Sequence, residues 1–231
     1  MNDKADVLVW GAIPYVVIAI FVLGHLWRYR TSQYTWTTRS TQLLERKMLR
    51  WGILLFHFGM LAVLGGHIGG ILVPKEATEA VGVTEDMYHS VAVLMGSISG
   101  IAMTAGLLIL AVRRASNERV RATTIRRDYL TVGVLLLVVI TGMINTFGVQ
   151  LLGTAHDYRE TVSPWFRSIL MLQPDPSLMT QAPWSFRLHA ASAMLLFAIW
   201  PFTRLVHAWS IPLAFVTRPP IIFRRRDSVA R

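Results

Sequence analysis

The sequence predicts an all-α membrane protein with five transmembrane helices, its N-terminus outside and its C-terminus inside. Three observations lead there. Hydrophobic residues fill 53% of the 231 positions and charged residues only 16%, with a mean hydropathy of +0.46, a balance foreign to a soluble domain of this length. Five stretches, 7–27, 51–73, 88–112, 129–152 and 184–209, are long and apolar enough to cross a bilayer, which takes roughly 20 residues. The basic residues, finally, crowd into alternate connections between those stretches.

Taken in order, the first stretch follows Asp3 and Asp6, and its apolar core is too long for a secretory signal. No small-x-small cleavage site follows it, so it reads as a retained helix. Arg28, Arg30, Arg39, Arg46, Lys47 and Arg50 lie before the second stretch. Arg113, Arg114, Arg119, Arg121, Arg126 and Arg127 lie between the third and fourth. Arg218, Arg224, Arg225, Arg226 and Arg231 follow the fifth, whereas the alternate segments hold only Lys4, Lys75, Arg159 and Arg167. This is the positive-inside pattern, and it sets the orientation. It also accounts for the net charge of +10 without a nucleic-acid partner.

No repeat or low-complexity block divides the chain, so 1–231 reads as a single domain. The outer connection 153–183 is broken by Pro164, Pro174, Pro176 and Pro183, and its SPWFRSILML stretch suits a short interfacial helix. Pro219 and Pro220 stop the fifth helix, leaving a basic tail suited either to anionic lipid or to docking an inner-side partner. Cysteine is absent, which excludes disulfides, thiolate metal sites and Cys-held iron–sulfur clusters in this chain.

Seven histidines remain to be placed. His57, His67, His189 and His207 lie well inside the second and fifth stretches, where an ionisable side chain marks function by default. The two helices run in opposite directions, so His57 shares the inner depth with His207, and His67 the outer depth with His189. Each pair can hold a haem iron from both sides, a ligation suited to electron transfer because it leaves no open iron position. The reading is therefore two haems between helices 2 and 5.

On a continuous helix, His57 and His67 are separated by about 15 Å of rise and His189 and His207 by about 27 Å, averaging about 21 Å between irons. Five whole turns put His189 and His207 on one face, whereas His57 and His67 stand roughly 80° apart. Arg187 and Arg204, near the helix 5 histidines, suit the haem carboxylates. Gly59, Ala62, Gly66 and Gly70 form a small-residue ridge that admits either a flat macrocycle or another helix, and GSISG at 96–100 reads as helix packing. His25 reads as interfacial and His156 as solvated. His89, at the outer start of helix 3, reads as either interfacial or a quinol contact. The methionines sit at core-like positions and are assigned no ligand role.

The stretches RYRTSQYTWTTRSTQLLERK, FHFGMLAVLGGH, RVRATTIRRDYL, FRLHAASAMLLF and PFTRLVHAWSIPLAFVTR resemble the gamma subunit of membrane-bound respiratory nitrate reductase. That subunit is a dihaem cytochrome b anchor in the cytoplasmic membrane. The four histidines fall on the family's haem-ligand positions, while the segments 74–86 and 153–183 look more divergent. The resemblance implies a part in anaerobic respiration. A quinol, ubiquinol or menaquinol, would be oxidised near the outer b-type haem of His67 and His189, and its protons would leave outward. Its electrons would then reach the inner haem of His57 and His207. Beyond it would lie an iron–sulfur beta subunit and a molybdenum-containing alpha subunit that reduces nitrate. His67, with Gly66, Tyr88 and His89 by depth, would line the quinol pocket. Two other readings stand beside it: the cytochrome b anchor of a sulfite- or heterodisulfide-reductase-type complex, and a haem-free membrane protein that binds metal ions or transports protons through its histidines. The second is opposed by the lack of acids in the middles of the spans.

Overall fold

The computed structural model describes residues 3–37, 40–153 and 156–210. Among these the chain is helical throughout its regular structure, and five helices are long and apolar enough to cross a membrane. They are Lys4–Thr35, Lys47–Leu72, Glu85–Ser116, Arg126–Leu151 and Trp184–Phe202, and are called the first to fifth spans. The five expected stretches are all present, most of them extended by a turn or more of polar helix. The basic tail from Arg218 lies outside the described residues.

The spans pack in series: second on third, third on fourth, fourth on fifth and fifth on first. The second and fifth, which carry the four histidines, are not neighbours in that series. Glycine sets the closest approach. Gly59 faces the backbone of Ser99 and Met103, and Gly106 meets the backbone of Phe56 so tightly that no Cβ fits. Phe56, Leu107 and Val139 close the core among the second, third and fourth spans. The GSISG glycines pack on the fourth span, Gly100 against Met143 and Gly96 against Thr146. The expected small-residue ridge divides accordingly. Gly59 is a packing contact, and Gly70 lies under the hydroxyls of Tyr88 and Tyr158. Beside Gly66, by contrast, a Cβ would meet nothing within 4 Å.

The His67/His189 end differs from the regular α-helix. The first, second and fourth spans there contain π-helical segments, Leu8–Ala12, Ile68–Leu72 and Ile144–Leu151. π-Helical winding shifts the backbone bonding and is frequent near functional sites. A short helix, Val162–Leu170, covers this end, where Ser163 Oγ donates to Gly70 O at 2.9 Å and Arg167 Nη1 to Ile71 O at 2.9 Å. Those bonds supply partners for carbonyls at the end of the second span. The expected interfacial helix is therefore anchored in the bundle, with Trp165 and Ile169 buried against Trp10, Met179, Ala182 and Phe186.

At the other end the fifth span departs from the expected continuous helix over 184–209. Its α-helix stops at Ile199, gives way to the 3₁₀ turn Trp200–Phe202 and resumes as the 3₁₀ segment Arg204–Trp209. Pro201 is the cause, since it removes an amide donor and crowds the preceding turn. Five-turn alignment of His189 with His207 consequently does not hold. Arg28 of the first span donates to Pro201 O at 2.7 Å and to Thr203 O at 2.6 Å, fixing the break.

Candidate functional site

Antiparallel order within the bundle brings the four span histidines together by depth. His57 and His207 have ring centroids 6.3 Å apart, and His67 and His189 have theirs 6.1 Å apart. With a metal–nitrogen bond of about 2 Å and a ring nitrogen about 1.1 Å from its centroid, two imidazoles on opposite sides of one metal stand about 6.3 Å apart. The pairs thus fit a metal held axially between two rings, as in a bis-histidine haem. Among the described residues no group of three or more His, Asp or Glu gathers around a common point.

Each ring is also oriented through its second nitrogen. The Nδ1 atoms of His57 and His67 bond to Ile53 O at 2.9 Å and Val63 O at 2.8 Å, each one turn back along the second span. His207 Nδ1 bonds to Arg204 O at 2.6 Å. His189 Nδ1 meets the hydroxyl of Thr141, on the fourth span, at 3.0 Å, and that hydroxyl also touches Ser192 Oγ at 3.1 Å. Donation from Nδ1 leaves Nε2 with its lone pair, the arrangement that metal-ligating histidines show. Open space flanks Gly65, Gly66 and Gly69, where a Cβ would meet nothing within 4 Å, so the second span offers a flat macrocycle no steric barrier beside His67.

The other expected site residues are dispersed around this arrangement. Arg187 is half-buried in the first turns of the fifth span. Arg204 Nη2 pairs with Asp128 Oδ2 at 2.7 Å, so its charge is already shared with a buried carboxylate. Tyr88 closes on the second span at Gly70, hydrogen-bonds Tyr158 at 2.9 Å and lies under the Arg159 guanidinium at 4.0 Å. Burial and then the Tyr88 hydroxyl push the Tyr158 phenol above its ordinary value. His89 turns to the fourth span and bonds Gln150 Oε1 at 3.2 Å. His25 accepts from Trp209 Nε1 at 3.1 Å, in keeping with an interfacial role. His156 departs from the solvated expectation. It bonds Thr161 Oγ1 at 2.8 Å and packs on Phe186, because the connection folds back over the bundle, and burial lowers its basicity.

Comparison with known proteins follows the same lines. The sequence profile described as "Nitrate reductase gamma subunit" matches residues 6–226. The chain belongs to the nitrate reductase gamma subunit family. It is 43% identical to the nitrate reductase gamma chain of Bacillus subtilis over 220 residues, covering 95% of this chain and 98% of that one. It is 33% identical to the respiratory nitrate reductase 1 gamma chain of Escherichia coli, over 92% and 94% of the two chains. A more distant relative is a subunit of the dihydromethanophenazine:CoB–CoM heterodisulfide reductase of Methanosarcina barkeri, 27% identical over 76% of this chain and 61% of that one. As a family member the chain is a membrane subunit of an oxidoreductase complex, of the cytochrome b type that implies haem, and the complex supplies its partner subunits.

Several residues around the pairs escape a reading along one gamma-subunit sequence. A threonine or serine on an apolar helix face looks like packing, and only the facing fourth span shows Thr141 at His189 Nδ1 and against Ser192 of the fifth span. Asn145 Oδ1 and Ser185 Oγ lie one turn from Thr141 and His189 towards the capped end. Both are buried with no hydrogen-bond partner among the described residues. Such atoms are costly unless something polar meets them, which suits a ligand with hydroxyl or carboxylate groups at that end.

Proposed function

We propose that the chain is the dihaem cytochrome b subunit of its complex. It oxidises a membrane quinol, ubiquinol or menaquinol, on the outer side of the cytoplasmic membrane and delivers electrons to iron–sulfur beta and molybdenum-containing alpha subunits on the inner side. Two b-type haems, one between His67 and His189 and one between His57 and His207, would supply the one-electron chemistry that links the two faces.

The observation carrying this reading is the depth-matched pairing of four oriented imidazoles at axial-ligand spacing. The protein's own residues perform the rest. The bonded Nδ1 atoms fix each ring and leave Nε2 free to ligate. Arg187 and Arg204 offer guanidinium charge to haem carboxylates near their own histidines. His67, Gly66, Tyr88 and His89 are the proposed quinol contacts. Tyr88 is seated against the second span at Gly70, one turn beyond Gly66. Alternating basic connections support the orientation, with the nitrate-reducing partners on the Arg-rich side. The nitrate reductase assignment is favoured over a heterodisulfide-type anchor because similarity to the gamma chains is higher and spans nearly both whole chains.

A reduced-minus-oxidised spectrum of membranes containing the complex, with haem counted per gamma chain, tests the reading. Two b-type haems reoxidised by nitrate are expected. A chain without haem would overturn the cytochrome reading, and two haems indifferent to nitrate in the full complex would transfer it to another anchor.

A further inference from the structure

We propose that Asp128 is a positioning residue for the inner haem ligand, acting on His207 through Arg204. The proposal rests on the reading that His57 and His207 hold a haem. Asp128 sits in the first turn of the fourth span, and only 4% of its side chain is exposed. One oxygen, Oδ2, meets three groups from three parts of the chain. It takes Arg204 Nη2 at 2.7 Å, Arg114 Nη1 at 3.2 Å and the Ile125 amide at 3.1 Å. Arg114 ends the third span, Ile125 closes the basic connection, and Arg204 opens the 3₁₀ segment that bears His207.

The link to the ligand is direct. Arg204 contributes its backbone carbonyl to His207 Nδ1 at 2.6 Å and its side chain to Asp128. The same residue therefore orients the imidazole with one group and is anchored by the other. Anchoring matters here because the helix that would otherwise hold His207 in register has ended at Ile199. Other bonds flank the ligand: Arg28 secures the carbonyls of Pro201 and Thr203 before Arg204, and Trp209 Nε1 bonds His25 Nε2 beyond His207, while Asp128 holds the residue whose carbonyl meets the imidazole. Two guanidinium groups against one carboxylate also leave surplus positive charge, so Arg204 can meet a haem carboxylate while Asp128 holds it.

The test compares Asp128→Asn, Asp128→Glu, Arg204→Gln and the double variant Asp128→Asn/Arg204→Gln in the full complex, with His207→Ala as control. The readouts are haem per chain, the low-spin signature of each haem, and loss of each haem to a haem-scavenging apoprotein. Wild type is expected to carry two haems and His207→Ala to lack the inner one. If His207→Ala keeps both, the haem reading itself has failed. With that control in place, Asp128→Asn is expected to release the inner haem roughly 10-fold or more faster, the usual scale for removing a partner that orients a metal ligand. The outer haem should be unchanged, Asp128→Glu should restore the inner one, and the double variant should match Arg204→Gln. An inner haem in Asp128→Asn with wild-type signature and retention would overturn the proposal. Failure of both Asp128→Asn and the double variant to accumulate in the membrane would overturn it too, since Asp128 would then hold the bundle rather than the ligand.

Discussion

The two ends of the bundle hold equivalent histidine pairs by different means. At the His67/His189 end, three spans turn π-helical and a short helix packs aromatic and apolar side chains over them. His189 stays on regular α-helix and is steadied by the hydroxyl of a neighbouring span. At the His57/His207 end the fifth span breaks, and buried ion pairs take the place of a packed cap. Arg113, 3% exposed, bonds Glu45 Oε2 at 2.6 Å along with Thr41 Oγ1 and the carbonyls of Thr41 and Glu45. Asp128 gathers Arg204 and Arg114. A long connection can build its own apolar core. A short basic one cannot, so its few acids each tie several elements together.

Substitution of the histidines should produce the largest effect and break the equivalence most sharply. His67→Ala or His189→Ala is expected to leave one haem of two and abolish reduction of the remaining haem by quinol. His57→Ala or His207→Ala should also leave one haem, but one that quinol still reduces. Stopped-flow haem spectra read both. Normal quinol reduction of the inner haem in His67→Ala would place the entry point elsewhere.

Next in size, Arg113→Met should destabilise the His57/His207 end by about 3–5 kcal/mol, because breaking a buried pair strands the partner groups. Thermal unfolding in detergent checks it, and a shift no larger than that of an exposed Arg121→Met would refute the burial argument. Thr141→Val tests the other end. It keeps volume but removes the hydroxyl at His189 Nδ1, and the outer haem should be held roughly 10–100-fold more weakly with the inner one intact.

The smallest effect is in pH, and the two ends should fail at opposite extremes. Burial pushes the Glu45 carboxyl up, but the amides of Met48 and Leu49 and the Arg113 guanidinium outweigh it and hold it below the usual range. A lowered carboxyl contributes stability above its unfolded pKa of about 4.3, and that contribution is lost as pH falls through the folded value. Lys75, at the other end, bonds Asp157 at 2.8 Å and Glu160 at 3.0 Å, which raises its ammonium above the ordinary value. Its contribution is full below the unfolded pKa of about 10.4 and is lost as pH rises through the folded value. Limited proteolysis should therefore open the 40–47 connection first in acid and the 75–85 connection first in alkali. The reverse order would contradict the assignment.

Hydropathy alone located the spans because each one must satisfy its backbone internally, whatever its neighbours are. The four histidines were legible for a related reason, since an imidazole in an apolar span has few innocent explanations, and antiparallel order gave the depth of each. What escaped depends on the facing element. Thr141 and Asp128 have no local signature of contact with His189 or Arg204. The π-helical ends have none either, while Pro201 did offer a warning of the break at Ile199. The glycines of the second span look alike in sequence, yet Gly59 serves a helix and Gly66 faces open space.

The grip of Arg28 on Pro201 and Thr203 joins residues 173 and 175 positions apart, one from the first span and the others from the last. A ribosome delivers those two spans far apart in time. The turn that presents His207 therefore acquires its Arg28 contacts only once the first and fifth spans lie side by side.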